Sequence, residues 1–381
     1  MHSDNGVTVR QVNGDRDMEG FLGLPWSIQQ NDPYWVPPIL SEQERFLDPR
    51  TGPFFEIGEA AYFLAFRDGM PVGRVSAHVN GQYERHQDAY TGFFGFFECV
   101  KDQHVADTLL DAAANWLRLQ GKRRILGPLS FSIYDEVGLL VEGFDSLPAI
   151  LQAHNPPYYE ELLTNWGLRK AVDWYAFRVT NRDIDRGAME KKLHGILSGH
   201  GLTLRSPQRS EFTRRAEEIV GIFNEAWSAN WGHVPLTESQ FRQIFAMLEP
   251  IIRSDLVDLI LDGDKIVAFM VSIPDLNPLI QEMNGRLSVW HRIRLLCDVK
   301  FRKPRKIRTL ILGVKREYQR KRLHHALILS TYLRIVRTNS RVEVCDCSLI
   351  SEPLTHFIRM VESYGASRYK TFRIFERDLP A

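Results

Sequence analysis

Paired cysteines, an excess of one charge and long apolar runs are all missing from this sequence of 381 residues. The four cysteines are Cys99, Cys297, Cys345 and Cys347, and none of them forms the Cys-x-x-Cys spacing of a redox or zinc pair. We therefore expect reduced thiols, no metal site and a cytoplasmic protein. Basic and acidic residues number 48 and 47, and a net charge of +1 gives no reason to expect a nucleic acid partner.

Several other signals are missing as well. No run approaches the ~18 apolar residues of a membrane-spanning helix, and residues 1–6 lack the basic-then-apolar pattern of a secretory signal. We find no Gly-x-Ser-x-Gly elbow and no Walker loop. The apolar content of 44% and the charged content of 25% are those of an ordinary globular protein, and the chain is long enough for two full domains.

What is present is one pattern of strands and helices that occurs twice. In the first half we predict strands at 7–12, 60–67, 71–79, 90–98, from 124 and at 168–179, and helices at 15–28, 102–120 and 157–166. In the second half we predict strands at 256–261, 265–273, 306–314, 342–349 and 368–377, and helices at 211–227, 237–248, 322–337 and 353–364. The predicted fold is α/β, with two mixed-sheet units in tandem at 1–190 and 191–381.

The stretch 306–337 predicts an anion site. An apolar strand runs through the turn 313–322 into a helix with one broad apolar face. A helix N-terminus presents free backbone N–H groups and the positive end of the helix dipole. The basic residues of this turn are Lys315, Arg316, Arg320, Lys321 and Arg322. We therefore predict a phosphorylated ligand here.

This turn also resembles the coenzyme A loop of the GNAT acyltransferase superfamily, which has the pattern Gln/Arg-x-x-Gly-x-Gly/Ala. Gln319, Arg322 and His324 stand at the matching positions, so both small residues are replaced. Arginine can replace amide contacts with bidentate phosphate contacts, or the pocket no longer binds coenzyme A in the usual way; both alternatives remain open. The resemblance implies donor contacts by Leu312, Gly313, Val314, Gln319, Arg320, Lys321, Arg322 and His324, with backbone N–H groups near Leu312 and Val314 facing the acyl carbonyl.

A wider resemblance extends from about residue 33 to residue 379. Its most specific segments are FFGFFE (93–98), GPLSFS (127–132), EVGLLVEGFD (136–145), NPPYY (155–159), NEAW (224–227), NWG (230–232), PDLN (274–277) and YKTFRIF (369–375). Together they resemble the bacterial YghO-like family of GNAT-related proteins, and some bacterial ceramide synthases, which acylate a sphingoid amine, are similar to it. The resemblance implies a tandem GNAT fold and an N-acyltransferase. It implies acyl-CoA, or an acyl carrier protein, as the donor, no permanently bound cofactor and a lipid amine as acceptor.

Acyl transfer to an amine needs a base, and four residues are candidates. Asp135 and Glu136 follow an aromatic loop, Glu98 ends an apolar strand, and His154 precedes a proline-rich turn. A carboxylate beside aromatic side chains tends to have a raised pKa, which suits a base near neutral pH. Structural alternatives remain open, because Glu136 can cap a turn, Glu98 can pair with an arginine and a lone histidine is often structural.

The remaining candidates are a proton donor and contacts with the substrate. The resemblance implies a tyrosine as leaving-group acid at a position that holds Val361 or Leu163; Tyr158, Tyr159 and Tyr364 are nearby substitutes, and Tyr158 is our candidate. The predicted substrate contacts are Asn155, Tyr159, Trp231, Asp275 and Asn277. Asp275 and Asn277 also suit a turn in which side chains bind their own backbone.

An insertion at 274–305 separates the second hairpin from its central strand. Its apolar residues are Leu287, Val289, Trp290, Ile293, Leu295, Leu296, Val299 and Phe301, and they alternate with Arg292, Arg294, Lys300, Arg302 and Lys303. This mixture suits a peripheral contact with the anionic inner face of a membrane, or a wall beside a long acyl chain. A helix packed on the domain with a solvated basic face is the structural alternative.

Two other functions also remain open. Because both small residues of the phosphate loop and the expected tyrosine are lost, a non-catalytic protein that binds acyl-CoA, acyl carrier protein or lipid is one of them. An aminoacyl-tRNA-dependent transferase is the other, although the balanced charge argues against an RNA partner.

Overall fold

The computed structural model describes residues 6–183, 185–208, 211–336 and 341–380. Residues 1–5 and the predicted end of a helix at 337 lie outside these ranges. The chain divides into two compact units. The first contains Met1–Trp174, Asn277–Leu287 and Lys370–Ala381, and the second contains Tyr175–Leu276 and Ser288–Tyr369. A domain boundary near residue 190 stays a prediction.

The first unit is a mixed sheet with helices. Its strands are β1 (Val7–Gln11), β2 (Gly58–Arg67), β3 (Met70–Asn80), β4 (Thr91–Cys99), β5 (Arg124–Gly127) and β6 (Leu139–Glu142), with the start of β7 (Arg169–Thr180) and the end of β13 (Ser367–Asp378). Its helices are α1 (Asp15–Gln29), α2 (Leu40–Leu47), α3 (Gly81–His86), α4 (Gln103–Leu119), α5 (Tyr159–Asn165) and α10 (Asn277–Met283).

Strands β1 to β4 form an antiparallel meander, and β4 then pairs in parallel with β5. The last residues of β13 pair antiparallel with β5 and with β6. The β2–β3 hairpin turns at Asp68 and Gly69, which both have positive φ, as tight hairpins require. Helix α4 buries Leu109, Leu110 and Leu117 completely, so its apolar stripe fills the core of this unit.

The second unit repeats this plan. Its strands are β8 (Thr203–Arg205), β9 (Val257–Asp262), β10 (Lys265–Pro274), β11 (Lys306–Val314) and β12 (Val344–Ser351), with the end of β7 and the start of β13. Its helices are α6 (Arg186–Ser198), α7 (Glu211–Arg214), α8 (Ala216–Trp227), α9 (Glu238–Leu248), α11 (Val289–Phe301), α12 (Leu323–Ile335) and α13 (Thr355–Glu362). Strands β8 to β11 are antiparallel, and β11 pairs in parallel with β12.

The mixed α/β tandem fold is confirmed, and most predicted elements lie within two or three residues of their observed bounds. Three regions differ. The helix predicted at 211–227 is divided at Arg215, whose backbone leaves the helical region. No helix was predicted around residue 190, where the boundary between the two predicted units lies, and the structure has α6 there, which has a weak apolar pattern and buries only Met189. The insertion contains two helices, α10 and α11, and they belong to different units.

Candidate active site

The second unit contains a cavity at the point where β11 and β12 stop pairing. Their parallel register runs from Lys306 opposite Val344 to Thr309 opposite Cys347. Both strands continue beyond that point, and a cavity of about 810 Å³ begins there. This volume lies within the range of roughly 300–1,000 Å³ that small-molecule pockets occupy.

The cavity walls are largely apolar, and most of their residues come from five elements. Residues that line it include Leu310, Leu312, Leu349 and Ile350 from the two strands, Trp227 from α8, Ile328, Thr331 and Tyr332 from α12, and Phe357, Met360 and Val361 from α13. All of them lie within the second unit. Such a wall suits a ligand with an extended apolar portion.

One end of the cavity meets the start of α12. Gln319 and His324 line the cavity, while Arg320 and Arg322 are exposed beside it. Arg322 immediately precedes α12 with φ 60 and ψ 28, and no side chain caps the helix. The N–H of His325 donates to the carbonyl of Arg322 at 3.0 Å, but no described side chain accepts a hydrogen bond from this helix start. This helix start is therefore a candidate anion site.

The backbone of Arg322 has a conformation that glycine usually adopts, although glycine is absent from this position. A φ of 60 lies in the left-handed region, where a residue with a Cβ costs roughly 1–2 kcal/mol. Arg322 therefore follows a backbone path for which glycine is the default residue. The side chain that replaces glycine adds a guanidinium, which binds phosphate well.

The corresponding helix of the first unit starts differently. Helix α4 follows β4, and Asp102 caps it by accepting hydrogen bonds from the N–H groups of His104 and Val105 at 2.9 and 3.4 Å. Asp102 also pairs with Arg67 at 2.6 Å. Although burial opposes the shift, these contacts lower the pKa of Asp102. A carboxylate of the protein thus occupies the anion position of the first unit.

Two adjacent histidines stand at the phosphate end of the cavity. His324 and His325 both line it. His325 Nδ1 lies 2.7 Å from the hydroxyl oxygen of the buried Tyr364. Burial is the main cause that lowers the pKa of His325 to about 4, and burial also lowers the pKa of His324. Both imidazoles are therefore neutral at pH 7.

A thiol and a phenol also line the cavity, and the sequence analysis missed both. Cys347 Sγ lies 3.6 Å from the hydroxyl of Tyr332 and 3.9 Å from Cys345 Sγ. In the sequence, Cys345 and Cys347 lack the spacing of a zinc pair and had no other predicted role. The period of two along a strand was the available signal, since it places Cys345 and Cys347 on the opposite face from Asp346.

The structure places Glu98 in a buried polar network of the first unit. Its carboxylate accepts hydrogen bonds from Gln29 at 3.0 Å and from the Tyr159 hydroxyl at 2.7 Å, and it lies 3.7 Å from Arg74. Burial raises the pKa of Glu98, although Arg74, Tyr159 and Gln29 oppose this shift. The neighbouring Tyr158 donates to the carbonyl of Cys99 at 2.7 Å.

Asp135 and Glu136 differ in environment although they are adjacent. Glu136 is exposed, whereas the Asp135 carboxyl accepts a hydrogen bond from Ser132 Oγ at 2.6 Å inside the loop. Burial is the main cause that raises the pKa of Asp135 to about 7, and the charge of Glu136 adds to it. A carboxyl with this pKa is poised for proton transfer near neutral pH.

This shift predicts a pH dependence of stability. Because folded Asp135 keeps its proton up to about pH 7 and the unfolded chain releases it near pH 4, its contribution to stability should decline as the pH rises from about 4 to 7. Asp135→Asn should remove this decline and raise the melting temperature at pH 8. The measurement is the melting temperature between pH 4 and pH 8, with Glu136→Gln as the matched control. Equal pH profiles for Asp135→Asn and the parent would contradict the shift.

The other first-unit candidates have structural contacts. His154 Nε2 lies 2.8 Å from Asp32, and burial, the largest cause, lowers the pKa of His154. The Asn155 side chain bridges the N–H and the carbonyl of Leu140 at 2.8 and 3.2 Å. Asn277 donates to the carbonyl of Pro148 at 2.8 Å.

Among the described residues, the predicted positions do not all line this cavity. Glu98, Asp135, Glu136, His154 and Tyr158 belong to the first unit, and none of these candidates lines the cavity. Four of the predicted donor residues do line it, namely Leu312, Val314, Gln319 and His324. Trp231 and Asp275 belong to the second unit and do not line it. The functional roles of all these residues stay predictions.

Comparison with known proteins identifies the class of fold. No family model matches the chain. Among solved structures, a tandem GNAT protein from the clavulanic acid biosynthesis pathway is similar with a TM-score of 0.59 at 11% identity, over 98% of this chain and 99% of that one. A GCN5-related N-acetyltransferase from Sphaerobacter thermophilus is similar with a TM-score of 0.52 at 12% identity, over 99% and 97%. The fold is that of a tandem GNAT protein.

Sequence similarity then identifies the family. The chain is 31% identical to a bacterial ceramide synthase from Caulobacter vibrioides over 381 residues, 98% of each chain. It is also 31% identical to the protein YghO from Escherichia coli over 374 residues, 97% of this chain and 95% of that one. The chain belongs to the family of these two proteins, and it is an N-acyltransferase of the GNAT class.

Proposed function

We propose that this protein transfers a long acyl chain from acyl-CoA to the amine of a sphingoid base. The observation that supports this proposal is the apolar cavity where β11 and β12 stop pairing, which leads to the uncapped, basic start of α12. An acyl-CoA thioester has two matching parts, because an apolar acyl chain that would fill the cavity is joined to a phosphorylated carrier that would lie at the basic helix start. The name of the Caulobacter relative supports the choice of a sphingoid acceptor.

The contrast between the two units supports donor binding in the second. Asp102 already satisfies the first N–H groups of α4 and repels a phosphate. Arg322 at the start of α12 puts a positive charge there, and no side chain caps this helix. We therefore assign the pyrophosphate of coenzyme A to α12, with Gln319, Arg320, Lys321, Arg322 and His324 around it.

The proton transfers have candidate groups in the same cavity. His325 is neutral at pH 7 and hydrogen-bonded to Tyr364, which stands three residues after the position where the GNAT resemblance implies an acid. This hydrogen-bonded pair is a candidate for proton transfer by geometry, while the lowered pKa of His325 makes it a weak base. Asp135, Glu136, Glu98, His154 and Tyr158 remain candidates from the sequence, as do Asn155, Tyr159, Trp231, Asp275 and Asn277 for the acceptor.

The test is to incubate the purified protein with palmitoyl-CoA and sphinganine and to measure the N-acyl product and free thiol. We expect both in equal amounts, and we expect calorimetry to show tighter binding of palmitoyl-CoA, below its micelle concentration, than of acetyl-CoA. Saturable binding without product would favour a non-catalytic lipid-binding protein. Product with acyl carrier protein alone would move the donor to that carrier, and product with aminoacyl-tRNA alone would overturn the proposal.

A further inference from the structure

Helix α11 (Val289–Phe301) has an inverted arrangement of apolar residues. Val289, Trp290 and Phe301 are 71%, 79% and 80% exposed, and Ile293 and Leu296 are also exposed. Val299 is the only fully buried residue of this helix, and His291, Leu295 and Asp298 are half-buried. A helix of a globular protein normally turns its apolar stripe toward the core. Here the apolar stripe faces solvent.

The exposed residues form one continuous face. At about 100° per residue, Val289, Ile293 and Leu296 fall within about 60° of one another, and Trp290, Cys297 and Phe301 extend the arc to about 140°. The half-buried and buried residues occupy the opposite side. We call the arc of Val289, Trp290, Ile293, Leu296, Cys297 and Phe301 the outward face.

Basic residues border the outward face. Arg292 lies beside Leu296 on one edge, Arg294 lies beside Phe301 on the other, and Lys300 lies within the arc. All three are exposed. The one acidic residue of the helix, Asp298, is on the inner side and pairs with Arg302 at 3.0 Å. The charge that this face presents to a partner is therefore entirely positive.

The helix is fixed to the second unit by its C-terminal end. Arg253 donates through Nη1 to the carbonyls of Val299 at 2.9 Å and of Arg302 at 3.0 Å. Val299 packs beneath the helix with 5% exposure. An exposed apolar face on a helix that is held by such contacts implies an external partner rather than a displaced core helix.

We propose that the outward face of α11 docks on an anionic lipid bilayer. An apolar arc that contains tryptophan and phenylalanine between arginine edges matches the boundary between acyl chains and anionic headgroups. No described helix is both long and apolar enough to cross a bilayer, so this contact is peripheral. The proposal concerns a surface outside the cavity, and it does not depend on the identity of the acyl acceptor.

The test is flotation of the full chain with vesicles of phosphatidylcholine and phosphatidylglycerol at 7:3, compared with pure phosphatidylcholine. We expect binding to the mixed vesicles that falls as salt rises. Trp290→Ser/Phe301→Ser should weaken it at least tenfold. The matched control is Met70→Ser/Leu119→Ser, which removes two apolar residues that are 68% and 84% exposed elsewhere, and it should leave binding unchanged.

A second measurement reports the orientation of the helix. Cys297 is exposed on the outward face, and an environment-sensitive fluorophore on it, in a Cys347→Ser background, should shift to the blue on mixed vesicles. Equal losses in both double variants, or binding without a shift, would overturn the proposal. A dimer that forms through α11 and excludes vesicles would overturn it in favour of a second copy of this chain.

Discussion

Arg322→Asp should weaken binding of palmitoyl-CoA by roughly 100-fold or more, whereas Arg322→Asn should weaken it by roughly tenfold. Both side chains tolerate the left-handed backbone of this position, since Asn and Asp are enriched there. They have nearly the same shape and differ in charge. The neutral variant loses a charge-assisted contact of about 1.5–3 kcal/mol, and the anionic variant adds repulsion of the phosphates.

Arg322→Asp also imitates the first unit. In that unit Asp102 accepts hydrogen bonds from the N–H groups at the start of α4. The backbone differs, because Asp102 is extended at φ −150 and ψ 116 whereas position 322 is left-handed. Arg322→Asp therefore acts on the ligand through its charge, and the variant should be about as stable as the parent because aspartate tolerates the left-handed region.

Calorimetric titration of both variants with palmitoyl-CoA distinguishes the two effects, and a thermal melt without ligand shows whether each variant is folded. Equal affinities for the Asp and Asn variants would show that no phosphate lies at the start of α12. In that case the acyl chain alone would account for binding in the cavity, and a donor on acyl carrier protein would become the better explanation.

The phosphate end of the cavity was predictable because its signals are local. A strand, a basic turn and a helix lie within thirty residues, and the glycine-like position of Arg322 follows from the resemblance to the coenzyme A loop. The carboxylate at the matching helix of the first unit was equally local, since Asp102 is the first residue of the helix predicted at 102–120. What the sequence could not show is that these two helix starts are counterparts, because that depends on the parallel pairing of β4 with β5 and of β11 with β12.

The cavity wall was not predictable in the same way. Cys347, Tyr332 and Met360 line it, yet they are separated along the chain and belong to three elements. These residues lie together because β12 stops pairing with β11 at a particular residue, and no local sequence pattern predicts where that pairing ends. The same reason explains His325, whose partner Tyr364 is 39 residues away.

The outward face of α11 shows a different limit of prediction from sequence. Its composition was recognisable from the sequence, but composition alone left a packed helix and a membrane contact equally consistent. The helical period could not decide between them, because it shows which residues share a face but does not show which face is buried. The burial of Val299 and the exposure of Trp290 supply that direction.

The second large effect concerns the stability of the helix that forms both the cavity wall and its phosphate end. Arg334, in the last turn of α12, contacts Asp258 of β9 at 2.6 Å, and their side chains are 8% and 2% exposed. Arg334→Met should destabilise the protein by about 3–5 kcal/mol, since it leaves a buried carboxylate without this guanidinium. The control Arg186→Met removes an exposed partner of Glu190 and should change stability by about 0.5 kcal/mol or less.

The double variant Arg334→Met/Asp258→Leu separates two roles of the pair. If the attraction between Arg334 and Asp258 only offsets the free energy that is lost when both charges leave water, two apolar residues should restore stability to near that of the parent. Differential scanning calorimetry of the single, double and control variants measures this, because it records each unit's transition if the two melt apart. A single variant as stable as the control would contradict the buried pair. A restored double variant that still binds palmitoyl-CoA would show that apolar packing alone can fix α12 on β9, and that the phosphate end needs only the position of the helix.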